Sequence, residues 1–336
     1  MGSKNYRLLI IFCLLAFVWN GCKPDEEVLP DTFTGAKVLI ANEGNFGWGE
    51  GTLSVYYEGS ETIDNEVYKA KNNESLGNVF HSIASLNGYY FLVMNNSGKI
   101  VVTDSSFNKV KEITGLTSPR NIYQVTDDKA YITDLYANAI HVMNIKTLQI
   151  TGTIPCNGHS EEGVISQGKF WFTAPETSNI YAVDISRDEI VDSTQVGVMP
   201  ESIVLDKDLG IWVMCRGRGV GKLVALDPSG SIDMSFSYEV TGVPTNLVYD
   251  DLLDVFYYLN TDICILDRSV SSDPSIWKSA ENKVFYSLNI NPSNNDVYVS
   301  DVKDFVSRST IYRYSREGAL LDDFSAGIIA GDFFFP

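Results

Sequence analysis

Histidine is the scarcest chemistry-bearing residue in this chain, with only His81, His141 and His159 in 336 positions. Catalytic or metal centres that need several imidazoles have little to draw on. Cysteine is nearly as sparse, five residues with no Cys-x-x-Cys pair and no Cys/His cluster, which leaves no donor set for a structural zinc site. No Ser/His/Asp elbow is present. The glycine-rich "GRGVG" at 217–221 follows a strand with no helix after it, so it is not a nucleotide fingerprint. Bases are few: 25 Lys and Arg against 43 Asp and Glu give a net charge of −18, a field that repels nucleic acid. Helical periodicity is nearly absent, which excludes alternating α/β folds.

What the sequence does have begins with a leader. Lys4 and Arg7 precede an apolar run, Leu8 to Trp19, too short to span a bilayer, and Asn20-Gly21-Cys22 ends it. This resembles a bacterial lipoprotein signal over residues 1–21, with lipidation at Cys22 anchoring the chain to a leaflet without crossing it. An ordinary secretory signal with a chance cysteine is the alternative. Removing the leader takes two basic and no acidic residues, so the net charge falls from −18 to −20. Residues 22–35, beginning "CKPDEEV", form an acidic linker. It is either simply solvated or similar to the signal that sends Gram-negative lipoproteins to the outer face of the outer membrane. Cys156, Cys215 and Cys264 remain, widely spaced in apolar strand patterns, and read as buried free thiols.

Residues 36–336 repeat. "KVLIAN" (37–42), "YFLVMN" (90–95), "AYITDL" (130–135), "FWFTAP" (170–175), "IWVMCR" (211–216), "VFYYLN" (255–260) and "VYVSDV" (297–302) are seven strand-like copies. After a wider first gap they lie about forty residues apart. Most are followed by two further strands and preceded by one, which is the arithmetic of an all-β, seven-bladed β-propeller. The first copy lacks an inner strand, and the final "AGDFFFP" has no partners after it. The C-terminal strand is therefore expected to pair with the first blade and close the ring.

Aligning the innermost strands gives an apolar column (Ile83, Ile122, Val164, Ile203, Leu247, Leu288, Phe333) and a small polar one (Ser82, Asn121, Gly163, Ser202, Asn246, Ser287, Asp332). The column before these is chemically irregular: His81, Arg120, Glu162, Glu201, Thr245, Tyr286 and Gly331. It should ring the channel mouth, either as drifting exposed residues or as a surface shaped to one asymmetric ligand. The loops of the same face add Asn42, Glu43, Phe46 and Trp48 from "NEGNFGWGEG", Tyr136, Arg216 and Arg218 from "RGRGVG", and Phe305. Aromatic anchors ringed by polar groups describe a ligand platform. A His/Glu metal centre from His81, His159 and Glu201, and a platform for another protein, are the alternatives.

The "NEGNFG" loop before "GTLSVYY", the "SPRNIY" and "PESI" approaches and the lipoprotein start resemble YncE-like propellers. Within them the chain is similar to the seven-bladed surface lipoproteins of the BtuG type. The resemblance implies a cell-surface protein of the outer membrane that catalyses nothing. It implies capture of cobalamin or a related corrinoid and delivery to a TonB-dependent outer-membrane transporter, with no cofactor and no resident metal.

Overall fold

Each repeat folds into one antiparallel four-stranded sheet, and seven sheets form the ring. The computed structural model describes residues 37–268 and 273–336. The leader, Cys22 and the acidic linker lie outside the described residues. The innermost strands, in ring order, are Ala330–Phe334, Phe80–Leu86, Pro119–Gln124, Gly163–Ser166, Pro200–Leu205, Thr245–Asp250 and Phe285–Ile290. The ring closes as expected: Leu39 pairs with Phe334, Ile40 with Phe333 and Ala41 with Asp332.

The second strand of each blade is apolar at almost every position because both its faces are covered. In Lys37–Asn42, Leu39 and Ala41 pack with Phe80 and Ile83 of the next blade. Val38 and Ile40 pack with Tyr298 and Phe333 on the other side. A strand sandwiched between two neighbours has no solvent face to alternate with, hence the continuous runs in the sequence. The outermost strands, such as Glu189–Gln195, are largely exposed and polar.

Two details differ from expectation. The wider first gap holds a six-residue helix, Val67–Asn72, which buries Val67 and Tyr68 between the first two blades. Cys156 is only half-buried, its Sγ 3.4 Å from the carbonyl oxygen of Gly158, whereas Cys215 and Cys264 are buried and all three are free.

Asn42 turns out to face inward. It is fully buried, its Nδ2 donating to Thr52 O and Ser54 Oγ at 2.9 Å while its Oδ1 accepts from Gly327 N at 2.9 Å. It fastens the end of the first blade to the chain just before the closing strand, and it is not a ligand contact. Asn42→Ala strands these partners in a dry site and should cost roughly 2–3 kcal/mol in chemical denaturation. A loss below about 0.5 kcal/mol would show that water replaces them.

Candidate functional site

The innermost strands converge on an open cavity of about 530 Å³ at the channel mouth. Its residues are aimed inward by a repeated backbone device. In six of the seven innermost strands the ladder slips register at the mouth residue or directly after it. The skipped residues are His81, Arg120 with Asn121, Glu201, Asn246 with Leu247, Tyr286 with Ser287, and Gly331. A bulge frees a residue from alternation and re-aims its side chain. In the remaining strand, Thr173 bonds both Glu161 and Glu162 through its backbone.

At and below the mouth, polar side chains stitch neighbouring blades. Asp332 Oδ2 accepts from Ile83 N at 3.1 Å, Glu162 Oε2 from Ile203 N at 3.2 Å, and Asn246 Oδ1 from Leu288 N at 3.0 Å. Asn289 Nδ2 donates to Phe333 O at 2.9 Å. Asp332 and Asn246 of the polar column, with Glu162 of the mouth column and Asn289, thus join blades around the channel.

At the mouth itself, donors and acceptors stand in couples. Arg120 Nε lies 2.6 Å from Glu161 Oε2, Arg216 Nε 3.1 Å from Glu201 Oε2, and Tyr286 Oη donates to Glu43 Oε1 at 3.0 Å. The Arg216–Glu201 couple is close but misaligned, so neither Nε nor Oε2 has a proper hydrogen bond. Burial pushes Glu162 up to about 8 and Glu201 up to about 7, the latter against the pull of Arg216. Asp332 rises to about 6 through burial, and burial also raises Glu43 against its bond from Tyr286. Burial, then the charge of Arg120, holds His81 well below the usual imidazole range, so it is neutral at pH 7.

These shifts give stability a definite sign with pH. Between an ordinary 4.5 and about 8, folded Glu162 holds a proton that the unfolded chain releases, so its effect on stability worsens as pH rises through that window. Glu162→Gln keeps an acceptor for Ile203 N and removes the buried charge. It should stabilise the fold by on the order of 2–4 kcal/mol at pH 9 and not at pH 4, read by urea denaturation at both. An equal gain at the two pH values would assign the effect to packing instead.

The structure brings Glu43, His81, Arg120, Glu201 and Arg216 together in the cavity lining. Glu161, Glu162, Tyr286 and Asp332 join them; of these, only Glu161 lay outside the aligned columns. Phe46 and Trp48 stand outside the lining, 73% and 96% exposed, on the loop between Glu43 and Gly51. That loop is tied down. Glu43 N and Gly44 N donate to Ile329 O and Ile328 O, and Asn45 Nδ2 to Phe305 O at 2.6 Å. Gly44 holds a left-handed φ of +74°, where a Cβ would strike Glu50 O. The Phe305 ring meets Tyr286 edge-on at 5.8 Å, so the rim loops and the mouth wall form one connected structure.

Tyr136 is exposed and lies edge-on to His159, whose Nε2 is 3.1 Å from Glu176 Oε1. His159 is thus outside the mouth lining and apart from His81. Among the described residues, no three His, Cys, Asp or Glu side chains stand close enough to hold a metal. His141 is buried against Asp134 at 3.2 Å, a structural pair. Arg218 lines a different cleft from Arg216.

The sequence profile of a family described as a domain of unknown function (DUF5074) matches residues 36–249. The chain belongs to this family. The matched stretch runs from the start of the ring to the innermost strand of the sixth blade, so it includes the mouth couples of Arg120, Glu161, Glu201 and Arg216. No curated protein sequence matches the chain. Solved structures share the fold. A quinonprotein alcohol dehydrogenase-like protein from Bacteroides thetaiotaomicron superposes with a TM-score of 0.68 at 14% identity, over 89% of this chain and 78% of its own. A functionally unknown protein from Desulfotomaculum acetoxidans gives 0.68 at 12%, over 90% and 99%. The periplasmic gluconolactonase of Pseudomonas aeruginosa gives 0.68 at 10%, over 89% and 98%. At such identities the likeness concerns architecture alone.

Proposed function

We propose that the loop face captures a small, neutral, amide-rich molecule, with a corrinoid of the cobalamin type as the first candidate, and performs no chemistry on it. The observation that carries this reading is the set of donor–acceptor couples at the mouth: Arg120 with Glu161, Arg216 with Glu201, and Tyr286 with Glu43. A primary amide offers one acceptor and two donors, which match such a couple without adding net charge. A corrinoid carries several amides around a broad apolar macrocycle. Phe46 and Trp48 supply exposed aromatic surface beside the mouth for such a body. In this reading Cys22 carries the lipid, the propeller stands outside the outer membrane, and a TonB-dependent transporter receives the ligand.

Carboxyls that titrate near neutrality, as Glu162 and Glu201 do, are also what acid–base catalysis employs. The two readings part on the fate of the ligand. Calorimetric titration of residues 23–336 with cyanocobalamin should give a saturable one-to-one isotherm, with the corrinoid recovered unchanged. No heat at two temperatures together with no shift in Tm would reject the corrinoid, and a converted product would reject passive capture.

A further inference from the structure

Two arginines of one loop serve different cavities. Arg216 lines the channel mouth beside Glu201. Arg218 lines a separate cleft of about 360 Å³ between the fourth and fifth blades. One wall of that cleft carries Glu176, Thr177 and Ser178, and the other carries Val198 and Val220. Seven of the eight arginines among the described residues stand within 4 Å of a carboxylate. Arg218 is the eighth, and among the described residues it has neither an ion pair nor a hydrogen bond. In a chain with 43 acids for 25 bases, an arginine left without a carboxylate is the exception.

Its position is built by the backbone. Arg216 N donates to Met199 O at 2.9 Å and Gly217 N to Val198 O at 3.0 Å, which pins the loop to the facing wall. Gly217 and Gly219 take left-handed φ values of +65° and +96°, and a Cβ on Gly217 would overlap the Val220 carbonyl. Across the cleft, Glu176 is the competing negative charge, and its Oε1 lies 3.1 Å from His159 Nε2. The Ser178 hydroxyl has no hydrogen-bond partner among the described residues, so it remains a donor. Val198 and Val220 are half exposed and form an apolar wall.

We propose that this cleft is a second binding site, which takes an anionic oxygen group, phosphate ester or carboxylate, joined to an apolar body. The guanidinium of Arg218 engages the anion in a fork of parallel N–H donors, and the valines cover the body. The proposal does not depend on what enters the channel mouth.

The test is an amide-resolved NMR titration of the mature chain with phenyl phosphate, phenylacetate and the neutral benzyl alcohol. Saturable shifts at residues 175–178, 198–199 and 217–220 with either anion, at dissociation constants on the order of 1–10 mM, are expected. The stronger anion identifies the source class, ester or carboxylate. Arg218→Ala should weaken that binding at least tenfold, while Arg187→Ala, on an exposed loop remote from the cleft, should leave it unchanged. Unsaturable shifts, equal response to benzyl alcohol, or undiminished binding in Arg218→Ala whose other resonances are native would each overturn the site.

Discussion

A chain ending at Ile328 is expected to lose cooperative folding and to aggregate. The eight residues removed, Ile329 to Pro336, are few, yet they include the innermost strand of the first blade. Phe333 is 1% exposed, and burying a phenylalanine contributes roughly 1.5–3 kcal/mol. Asp332 and the Phe333 carbonyl bond to the second and seventh blades, so both seams of the first blade are anchored through this strand. Each buried partner left unsatisfied costs about 1–3 kcal/mol more. Together these losses rival the whole stability of a typical domain, about 5–15 kcal/mol. Truncation also uncovers the edge of Lys37–Asn42, an apolar strand whose free N–H and C=O groups invite pairing with other chains. Size-exclusion chromatography and thermal melting decide the matter. A monomer that melts near the full-length chain would show that the closing strand is dispensable.

The largest effect expected on binding comes from Trp48→Ala combined with Arg216→Ala. Trp48 is 96% exposed and supports nothing in the fold, so its removal bears on ligand contact alone. The Arg216 side chain is also partly exposed and its pairing with Glu201 is misaligned, which limits its contribution to stability. An aromatic anchor and a charged donor at one interface each contribute about 1.5–3 kcal/mol on truncation. Affinity for cyanocobalamin should therefore fall at least about a hundredfold, while Tm moves by no more than a degree or two. Undiminished affinity in a folded double variant would place the site elsewhere.

The repeat was legible because a strand covered on both faces must be apolar throughout, and seven such runs at one spacing admit few architectures. Ring closure could be read from two unpaired ends, "KVLIAN" without an inner strand and "GDFFF" without partners. The helix Val67–Asn72 was not legible, since "VYKAKN" is shorter than two turns and holds its form through the burial of Val67 and Tyr68. Columns of aligned strands found the mouth. They could not show the register slips that turn its residues inward, nor that Glu161 reaches Arg120 across 41 positions of sequence. Asn42 was misplaced because it adjoins Glu43, whereas successive strand residues point opposite ways. Nothing local separates Arg216 from Arg218. Only the fold sends one to the channel and the other to the cleft between blades.

Hydrogen exchange measured with and without cyanocobalamin tests the central claim most directly, because it reports both binding and its place. Capture at the mouth predicts protection of residues 43–51, the loop around Arg216, and the starts of the innermost strands at His81, Arg120, Glu201 and Tyr286. Unchanged exchange throughout, or protection confined to the outer strands or the opposite face, would contradict it.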